Sequence, residues 1–178
     1  MQREQVTLRR LRNEESDYRL LTTWCAQESV YRYFEQRVLK AEEIRAKYYP
    51  RTLEDAKVPV YLIEWENRPV GMIQYQKVDV ERAGLCGIGT ENGYEMDLFI
   101  GEEACRGQGI GQAAVCLMAK KLFAEEQAEV LLMCPLKENI RAIRCYEKCG
   151  FKQSGCIRES DTIGVLQEYA VMQKKKGS

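Results

Sequence analysis

The sequence predicts an α/β (α+β) fold in which about four helices flank a mixed sheet of seven strands. Three observations lead to this prediction. The chain has 178 residues, of which 45% are hydrophobic, enough for one domain with a sizeable core. Strand-like segments alternate with helical segments along the chain. A glycine-rich run at residues 106–111 joins a predicted strand to a predicted helix.

The first half of the chain predicts three strands and two helices. Residues Glu15–Asp17 supply capping groups where the first helix begins, and Pro50 ends the second helix. Residues Glu66–Pro69 favour a hairpin turn between two strands. The predicted elements are the strand Val6–Leu11, a helix that follows the caps at Glu15–Asp17 and reaches Trp24 or Cys25, the helix Lys40–Tyr49, the strands Val58–Trp65 and Val70–Val78, and a loop at Gln27–Leu39.

The second half predicts four more strands and two more helices. Four glycines indicate a flexible excursion at Asp79–Gly93. Asn139 and Gly150 stand where the caps of a short helix belong. We expect residues 1–178 to form one domain, with residues 173–178 as a flexible tail. The predicted elements are the strands Tyr94–Ile100, Glu129–Cys134, Phe151–Ile157 and Val165–Gln173, and the helices Gly109–Glu126 and Asn139–Lys148.

Charge and composition argue against several kinds of partner. The chain carries 27 basic and 27 acidic residues, so its net charge of zero gives no electrostatic argument for nucleic acid or an anionic membrane. The charged N-terminus lacks the apolar run of a signal peptide, and no stretch is long enough to span a bilayer. We therefore expect a cytoplasmic protein with neither a nucleic-acid partner nor a membrane.

Eight cysteines are scattered along the chain. Without an export signal, they are interpreted as reduced thiols of a cytoplasmic protein. Cys145 and Cys149 have the i, i+4 spacing of a helix and could share a metal. Because the chain contains no histidine and no CxxC motif, we expect no metal site.

The run Arg106–Gly111 contains three glycines at the start of a predicted helix. Glycines at such a junction let backbone N–H groups converge on an anion without obstruction by Cβ atoms. The helix N-terminus adds unpaired donors and the positive end of a dipole. The run therefore predicts a pyrophosphate-binding loop, although three glycines could also form a tight loop without a ligand. It is not a P-loop, because no Gly-Lys-Ser/Thr follows.

A second segment, Asn139–Phe151, favours the ligand-binding interpretation. The two segments together resemble the Gcn5-related N-acetyltransferase superfamily, and the resemblance covers nearly the whole chain. The cofactor loop of that family reads Gln/Arg-x-x-Gly-x-Gly/Ala, and its next helix carries Asn, Ala, Tyr and then Gly-Phe. The matching residues are Arg106, Gly109, Gly111, Asn139, Ala142, Tyr146, Gly150 and Phe151.

The resemblance implies a fold, a cosubstrate and a set of binding residues. The sheet is expected to be mostly antiparallel and split between its fourth and fifth strands, with acetyl-CoA in the gap. Backbone groups of the fourth strand would bind the pantetheine arm, and the glycine loop would hold the pyrophosphate. The expected cofactor-binding residues are Leu98, Phe99, Ile100, Arg106, Gly107, Gln108, Gly109, Ile110, Gly111, Asn139 and Tyr146.

Three side chains are candidates for the chemistry of acyl transfer. By resemblance, the Tyr146 hydroxyl would face the coenzyme sulfur and donate a hydrogen bond to the departing thiolate; the alternative is a core tyrosine. Glu95 and Asp97 lie two residues apart on one strand, so both should face the same side. A buried strand has little reason to carry two carboxylates unless they face a polar pocket. Either one is a candidate base, and either could instead be an edge charge in solvent.

Two segments, residues 96–102 and 141–148, resemble the aminoglycoside 6′-N-acetyltransferases more narrowly. In that family an Asp at the position of Asp97 contacts the 6′-amine and is a proposed base. The N-terminal segment also resembles the family's substrate-side loop, and polycationic sugars need carboxylates and flat faces. The expected substrate-binding residues are Trp24, Glu28, Tyr33, Glu95, Asp97 and Cys134.

Cys134 departs from the family pattern. Several relatives carry an Asp there that also contacts the aminoglycoside, and a neutral thiol cannot replace its charge. Carboxylates of Glu91, Glu95 or the N-terminal loop could compensate.

The sequence thus predicts acetyl transfer from acetyl-CoA to the 6′-amine of an aminoglycoside by direct attack in a ternary complex. The alternative is a related acyltransferase acting on a polyamine, an amino acid or a siderophore precursor. A non-catalytic acyl-CoA-binding module is a third reading, although cofactor binding alone requires neither Asp97 nor Tyr146. The sequence is compatible with a monomer and with a homodimer.

Overall fold

The computed structural model describes residues 5–89 and 91–177. Within these residues the chain forms seven strands and six α-helices. The strands are β1 (Val6–Arg10), β2 (Val60–Trp65), β3 (Arg68–Lys77), β4 (Gly93–Ile100), β5 (Val130–Met133), β6 (Lys152–Ser160) and β7 (Leu166–Lys175). The helices are α1 (Glu15–Cys25), α2 (Glu28–Phe34), α3 (Ala41–Tyr48), α4 (Val80–Cys86), α5 (Ile110–Glu125) and α6 (Ile140–Lys148).

The seven strands form one sheet in the order β1-β2-β3-β4-β5-β7-β6. Every neighbouring pair is antiparallel except β4 and β5. These two strands pair only from Gly93, opposite Val130, to Glu95, opposite Leu132. Beyond Glu95 the β4 strand continues to Ile100 without pairing to β5, so the sheet opens between them. The predicted split between the fourth and fifth strands is confirmed.

Helices cover both faces of the sheet. α5 and α6 pack on one face, in a core that includes Met96 and Leu131. α1 and α3 pack on the opposite face, and α4 covers the β5–β7 part of that same face through Cys86. Because side chains alternate along a strand, Glu95 and Asp97 both point away from α5. The prediction that these two carboxylates share one side is therefore confirmed.

Two segments predicted to be irregular are helical, which raises the helix count from about four to six. α2 lies inside the predicted loop Gln27–Leu39, and its Phe34 packs edge-on against Phe99. α4 lies inside the predicted excursion Asp79–Gly93. The Asp79 side chain caps its start, and a glycine with φ of +65° ends it. Helices this short are marginal alone, so caps and tertiary packing determine them.

Two boundaries also differ from the predictions. β7 continues to Lys175, which pairs with Val130, so residues 173–175 belong to the sheet rather than to a tail. The β2–β3 turn consists of Glu66 and Asn67, both with positive φ, as in the two-residue turns that match strand twist. The next two residues already belong to β3. None of the described helices is both long and apolar enough to cross a membrane.

Candidate active site

A cavity of about 590 Å³ lies where β4 and β5 diverge. The end of β4 lines it with residues 97–100, and the start of α5 lines it with Gly109 and Gly111. Tyr146 of α6 and Tyr33 of α2 contribute from opposite faces of the sheet. The cavity therefore reaches both faces through the opening between the strands. We name it the cofactor cavity.

The glycine loop borders this cavity and fits a diphosphate group. Gly107 and Gly109 have φ of +75° and +82°, a conformation that side chains with a Cβ rarely adopt. Gly109 is the N-cap of α5, and no side chain of the described residues caps this helix. The N–H groups of its first turn therefore lack partners inside the helix. A Cβ added to Gly111 would lie 3.7 Å from Leu98, so the protein itself leaves room there.

The Arg106 side chain lines the cofactor cavity and is also bonded to other parts of the protein. Its guanidinium donates hydrogen bonds to the carbonyls of Ile100 (2.9 Å) and Gly101 (3.1 Å). It also donates to the side chains of Gln27 (2.8 Å) and Ser29 (2.7 Å). These bonds tie the glycine loop to the connection between α1 and α2. Four hydrogen bonds within the protein thus engage the Arg106 side chain, whereas the backbone N–H groups of the loop face the cavity side of the helix start.

The side chains of three other residues in the predicted cofactor-binding set make contacts within the protein. Gln108 is exposed and its amide bonds to the carbonyl of Ala104. The side chain of Ile110 is buried in the core. Asn139 lines the cofactor cavity and caps α6, where its Oδ1 accepts a hydrogen bond from the Ala142 N–H at 3.2 Å.

Asp97 borders the cofactor cavity and a second cavity of about 460 Å³ on the α4 side of the sheet. We name the second space the acceptor cavity. Gln74 donates a hydrogen bond to Asp97 Oδ2 at 3.4 Å, and Arg51 holds the Gln74 amide from the other side at 2.5 Å. Burial, followed by the negative charge of Glu95, raises the pKa of Asp97 to about 6. At pH 7 this carboxylate is largely ionised and able to accept a proton.

Glu95 is held in an ion pair, which argues against its predicted role as a base. Arg82 of α4 donates to Glu95 Oε2 at 2.9 Å through Nε and to Oε1 at 2.7 Å through Nη2. Nη1 of the same guanidinium donates to Glu159 of β6 at 2.6 Å. Arg82 and Glu159 line the acceptor cavity, and the sequence reasoning missed both. The sequence signals for α4, the helix that carries Arg82, are limited to the capping residue Asp79 at its start and the glycine at its end.

Tyr146 lines the cofactor cavity from the α6 side. Its ring is buried beside Phe151, and its hydroxyl has no hydrogen-bond partner among the described residues. Burial, with smaller contributions from Cys145 and Asp97, raises the pKa of Tyr146 well above its ordinary value. The phenol is therefore protonated at neutral pH and can donate a hydrogen bond into the cavity.

The structure separates the predicted substrate-binding residues. Tyr33 lines the cofactor cavity, and Cys134 lines both cavities. A hydrogen bond with Cys86 and burial raise the pKa of the Cys134 thiol, so it is neutral and does not supply the missing carboxylate. Glu91, suggested as compensation, instead pairs with Lys175 at 3.2 Å.

Trp24 and Glu28 do not line either cavity. Trp24 is fully buried, its Nε1 donates to Glu102 at 2.7 Å, and it packs directly on Gly101. A Cβ on Gly101 would lie only 2.1 Å from the Trp24 ring, so this contact fixes α1 against the end of β4. Glu28 is exposed in the first turn of α2. The assignment of Trp24 to the substrate site was therefore wrong, and Glu28 lies at the surface.

Comparisons with known proteins agree with this architecture. Residues 13–158 match the family model of the acetyltransferase (GNAT) domain. The aminoglycoside N(6′)-acetyltransferase type 1 of Klebsiella pneumoniae is 26% identical over 161 residues, covering 89% of this chain and 79% of that protein. The aminoglycoside acetyltransferase AAC(6′)-Ib in complex with coenzyme A superposes with a TM-score of 0.75 at 22% identity, over 96% of this chain and 95% of that one.

A second solved structure shares the fold. The spermidine N-acetyltransferase of Vibrio cholerae, in complex with CoA and spermine, has a TM-score of 0.77 at 19% identity, over 97% of this chain and 96% of that one. The match to the family model spans most of the chain, and the sheet opens between β4 and β5, as the resemblance in the sequence implied. The chain therefore belongs to the GNAT acetyltransferase family.

Proposed function

We propose that this chain is an N-acetyltransferase that uses acetyl-CoA to acetylate a cationic amine, with the 6′-amine of an aminoglycoside as the first candidate acceptor. Acetyl-CoA is the cosubstrate that membership of the family entails. The observation that carries the proposal is the position of Asp97. Its carboxylate forms no ion pair among the described residues and borders both the cofactor cavity and the acceptor cavity.

The chain's own residues account for the requirements of acetyl transfer. Bound acetyl-CoA would supply the activated acyl group. The backbone of the glycine loop would hold its diphosphate. Asp97 orients the acceptor ammonium by its charge and takes up the proton that the amine must lose, directly or through water. Tyr146 donates a hydrogen bond to the sulfur that leaves; because its pKa is raised, stabilisation of the thiolate is favoured over full proton transfer.

The charge of the acceptor cavity supports a cationic acceptor. Four acidic and two basic side chains line it, so its formal charge is negative. The lining charged residues are Lys77, Asp79, Arg82, Glu95, Asp97 and Glu159. Glu159 adds a carboxylate to this cavity, and although Arg82 donates to it at 2.6 Å, the net negative charge of the cavity supports a cationic acceptor despite the departure at position 134. We also propose that the reaction takes place in the cytoplasm.

A polyamine is the second candidate acceptor. An acidic cavity attracts any polycation, and the Vibrio cholerae relative in complex with spermine is a spermidine N-acetyltransferase with the same fold. The two candidates differ in shape rather than in charge.

The experiment is a coenzyme A release assay with purified protein and acetyl-CoA against kanamycin, spermidine and an amino acid. Mass spectrometry of the products then locates the acetyl group. We expect turnover with kanamycin and a single acetyl group on its 6′-amine. Efficient acetylation of spermidine alone would favour the second candidate. Failure of all three amines to release coenzyme A would contradict the proposed acetyltransferase activity.

A further inference from the structure

The acceptor cavity already contains a cation of the protein. The Arg82 guanidinium contacts Glu95 through two hydrogen bonds and Glu159 through a third, at 2.6–2.9 Å. The side chain of Glu95 is 6% exposed and that of Glu159 is 34% exposed. Two of the four carboxylates of this cavity are therefore bonded to one guanidinium, which cannot lose its proton and offsets one of their two negative charges.

The three residues come from distant parts of the fold. Arg82 lies on α4, Glu95 on β4 and Glu159 on β6, so the sheet and α4 together create the arrangement. α4 is anchored by Cys86, which packs among residues of β5, β6 and β7, and by the cap of Asp79 on the Arg82 N–H at 2.8 Å. Arg82 is thus presented to the cavity by a fixed helix.

A pair of carboxylates close enough to share one cation is also the arrangement that would bind an ammonium group of a polycationic acceptor. In this protein, Arg82 already occupies that position. We propose that Arg82 is a specificity-determining residue, whose guanidinium occupies the position between Glu95 and Glu159 that a second ammonium of the acceptor would take. This inference rests on the proposed function, because it assumes that the amine enters the acceptor cavity. Asp97 remains available to bind the reacting amine. Further ammonium groups on the acceptor are repelled by the positive charge of Arg82.

The consequence is a selectivity by charge. An acceptor with one ammonium needs Asp97 only, and Arg82 affects it weakly. An acceptor with several ammonium groups is repelled by Arg82 at short range, and a unit charge in a partly buried site changes affinity by tenfold or more. Arg82→Gln should therefore tighten the binding of polycations selectively.

The test is calorimetric binding in the presence of coenzyme A. The two ligands are kanamycin and methyl 6-amino-6-deoxyglucoside, which carries a single amine on a similar ring. Arg82→Gln should lower the Kd of kanamycin at least about tenfold and change the Kd of the monoamine less than about threefold. Arg82→Lys retains the positive charge and should bind kanamycin within about threefold of the wild type.

Three results would overturn the proposal: an unchanged Kd for kanamycin in Arg82→Gln, an equal gain for both ligands, or no binding of kanamycin by any variant. A failure of the proposed function appears separately, as no coenzyme A release by the wild type with either amine, and leaves the binding comparison readable.

Arg82→Gln leaves Glu95 buried without its partner and could fail to fold. Glu159→Gln is then the second variant, because it retains the buried pair of Arg82 and Glu95. It removes one of the two carboxylates that offset the Arg82 charge, so the repulsion between Arg82 and a second ammonium should increase. Kanamycin binding should weaken at least about threefold while monoamine binding stays unchanged, and unchanged kanamycin binding would overturn the proposal.

Discussion

The carboxylate of Asp97 lies at the junction of the two cavities, and its neighbours decide its proton affinity. Burial and the charge of Glu95 favour the neutral acid, whereas the hydrogen bond from Gln74 and the charge of Arg82 favour the carboxylate. The balance raises the pKa of Asp97 to about 6 from an ordinary 3.8. A base with this pKa is ionised at neutral pH and still takes up a proton readily.

The same shift predicts a cost in stability. Above pH 6 Asp97 is ionised in both the folded and the unfolded chain, but its higher pKa in the fold means that ionisation destabilises the folded state. Asp97→Asn removes this charge and should therefore raise the free energy of unfolding at pH 7 by up to about 3 kcal/mol. The advantage should fall as the pH drops below 6, because the wild-type carboxyl then becomes protonated in the fold, and it should vanish below pH 4. Urea unfolding at several pH values measures it.

Asp55→Asn, at an exposed position, is the control for that series and should change the free energy of unfolding little at any pH. An Asp97→Asn variant that is no more stable than the wild type at pH 7 would contradict the raised pKa.

Tyr146 can be tested by removing its hydroxyl alone. In Tyr146→Phe, kcat should fall by about 10²-fold while the KM for acetyl-CoA changes little, because the hydrogen bond strengthens only as the thiolate forms. Tyr94→Phe is a matched control, since Tyr94 is equally buried at 7% exposure but bonds to Glu126 outside both cavities. Wild-type turnover by Tyr146→Phe, where chemistry limits the rate, would remove the hydroxyl from the mechanism.

The loop and first turn of α5 act as one element, because no side chain of the described residues caps the helix. The protein leaves ordinary contact distances of 3.7 Å and 3.8 Å around a Cβ at Gly111. Substitutions there should therefore fold, and their effect on binding reports on the space that the cofactor needs. The cofactor loop of the resembled family carries Gly or Ala at this position, so Gly111→Ala is a suitable control for larger substitutions.

We expect Gly111→Val to weaken coenzyme A binding at least about tenfold, because its methyl groups obstruct approach to the backbone N–H groups. Gly111→Ala is the control and should bind coenzyme A nearly as the wild type does. Calorimetry on both folded variants measures the difference. Unchanged affinity in Gly111→Val would show that the diphosphate lies elsewhere.

The elements that the sequence predicts well are the long or strongly patterned ones. β4, α5 and α6 lie close to their predicted positions because hydrophobic periodicity, the glycine loop and helix caps all agree there. α2 and α4 were missed because seven residues give little periodicity and their burial comes from contacts with distant strands. The four glycines around α4 suggested flexibility, whereas one of them is its C-terminal cap.

At the scale of the whole molecule, the opening of the sheet joins the two cavities. Local motifs in the sequence singled out Asp97, Tyr146 and the glycine loop, and the structure brings all three to one cavity. Arg82 and Glu159 were not singled out, because they are 77 residues apart and only the sheet brings them together. Trp24 was misassigned because its indole is buried and donates a hydrogen bond to Glu102, a long-range contact that no local sequence pattern reveals.

Asp97 is proposed to orient and deprotonate an amine that enters between these two cavities. The most direct measurement is the rate of kanamycin acetylation by the wild type and by Asp97→Asn, with coenzyme A affinity determined for both and a 6′-hydroxyl aminoglycoside as the comparison acceptor. We predict that the substitution lowers the rate at least about 10²-fold, leaves coenzyme A affinity unchanged, and that the 6′-hydroxyl acceptor is poor with both proteins. An Asp97→Asn protein that acetylates kanamycin as fast as the wild type would contradict the claim.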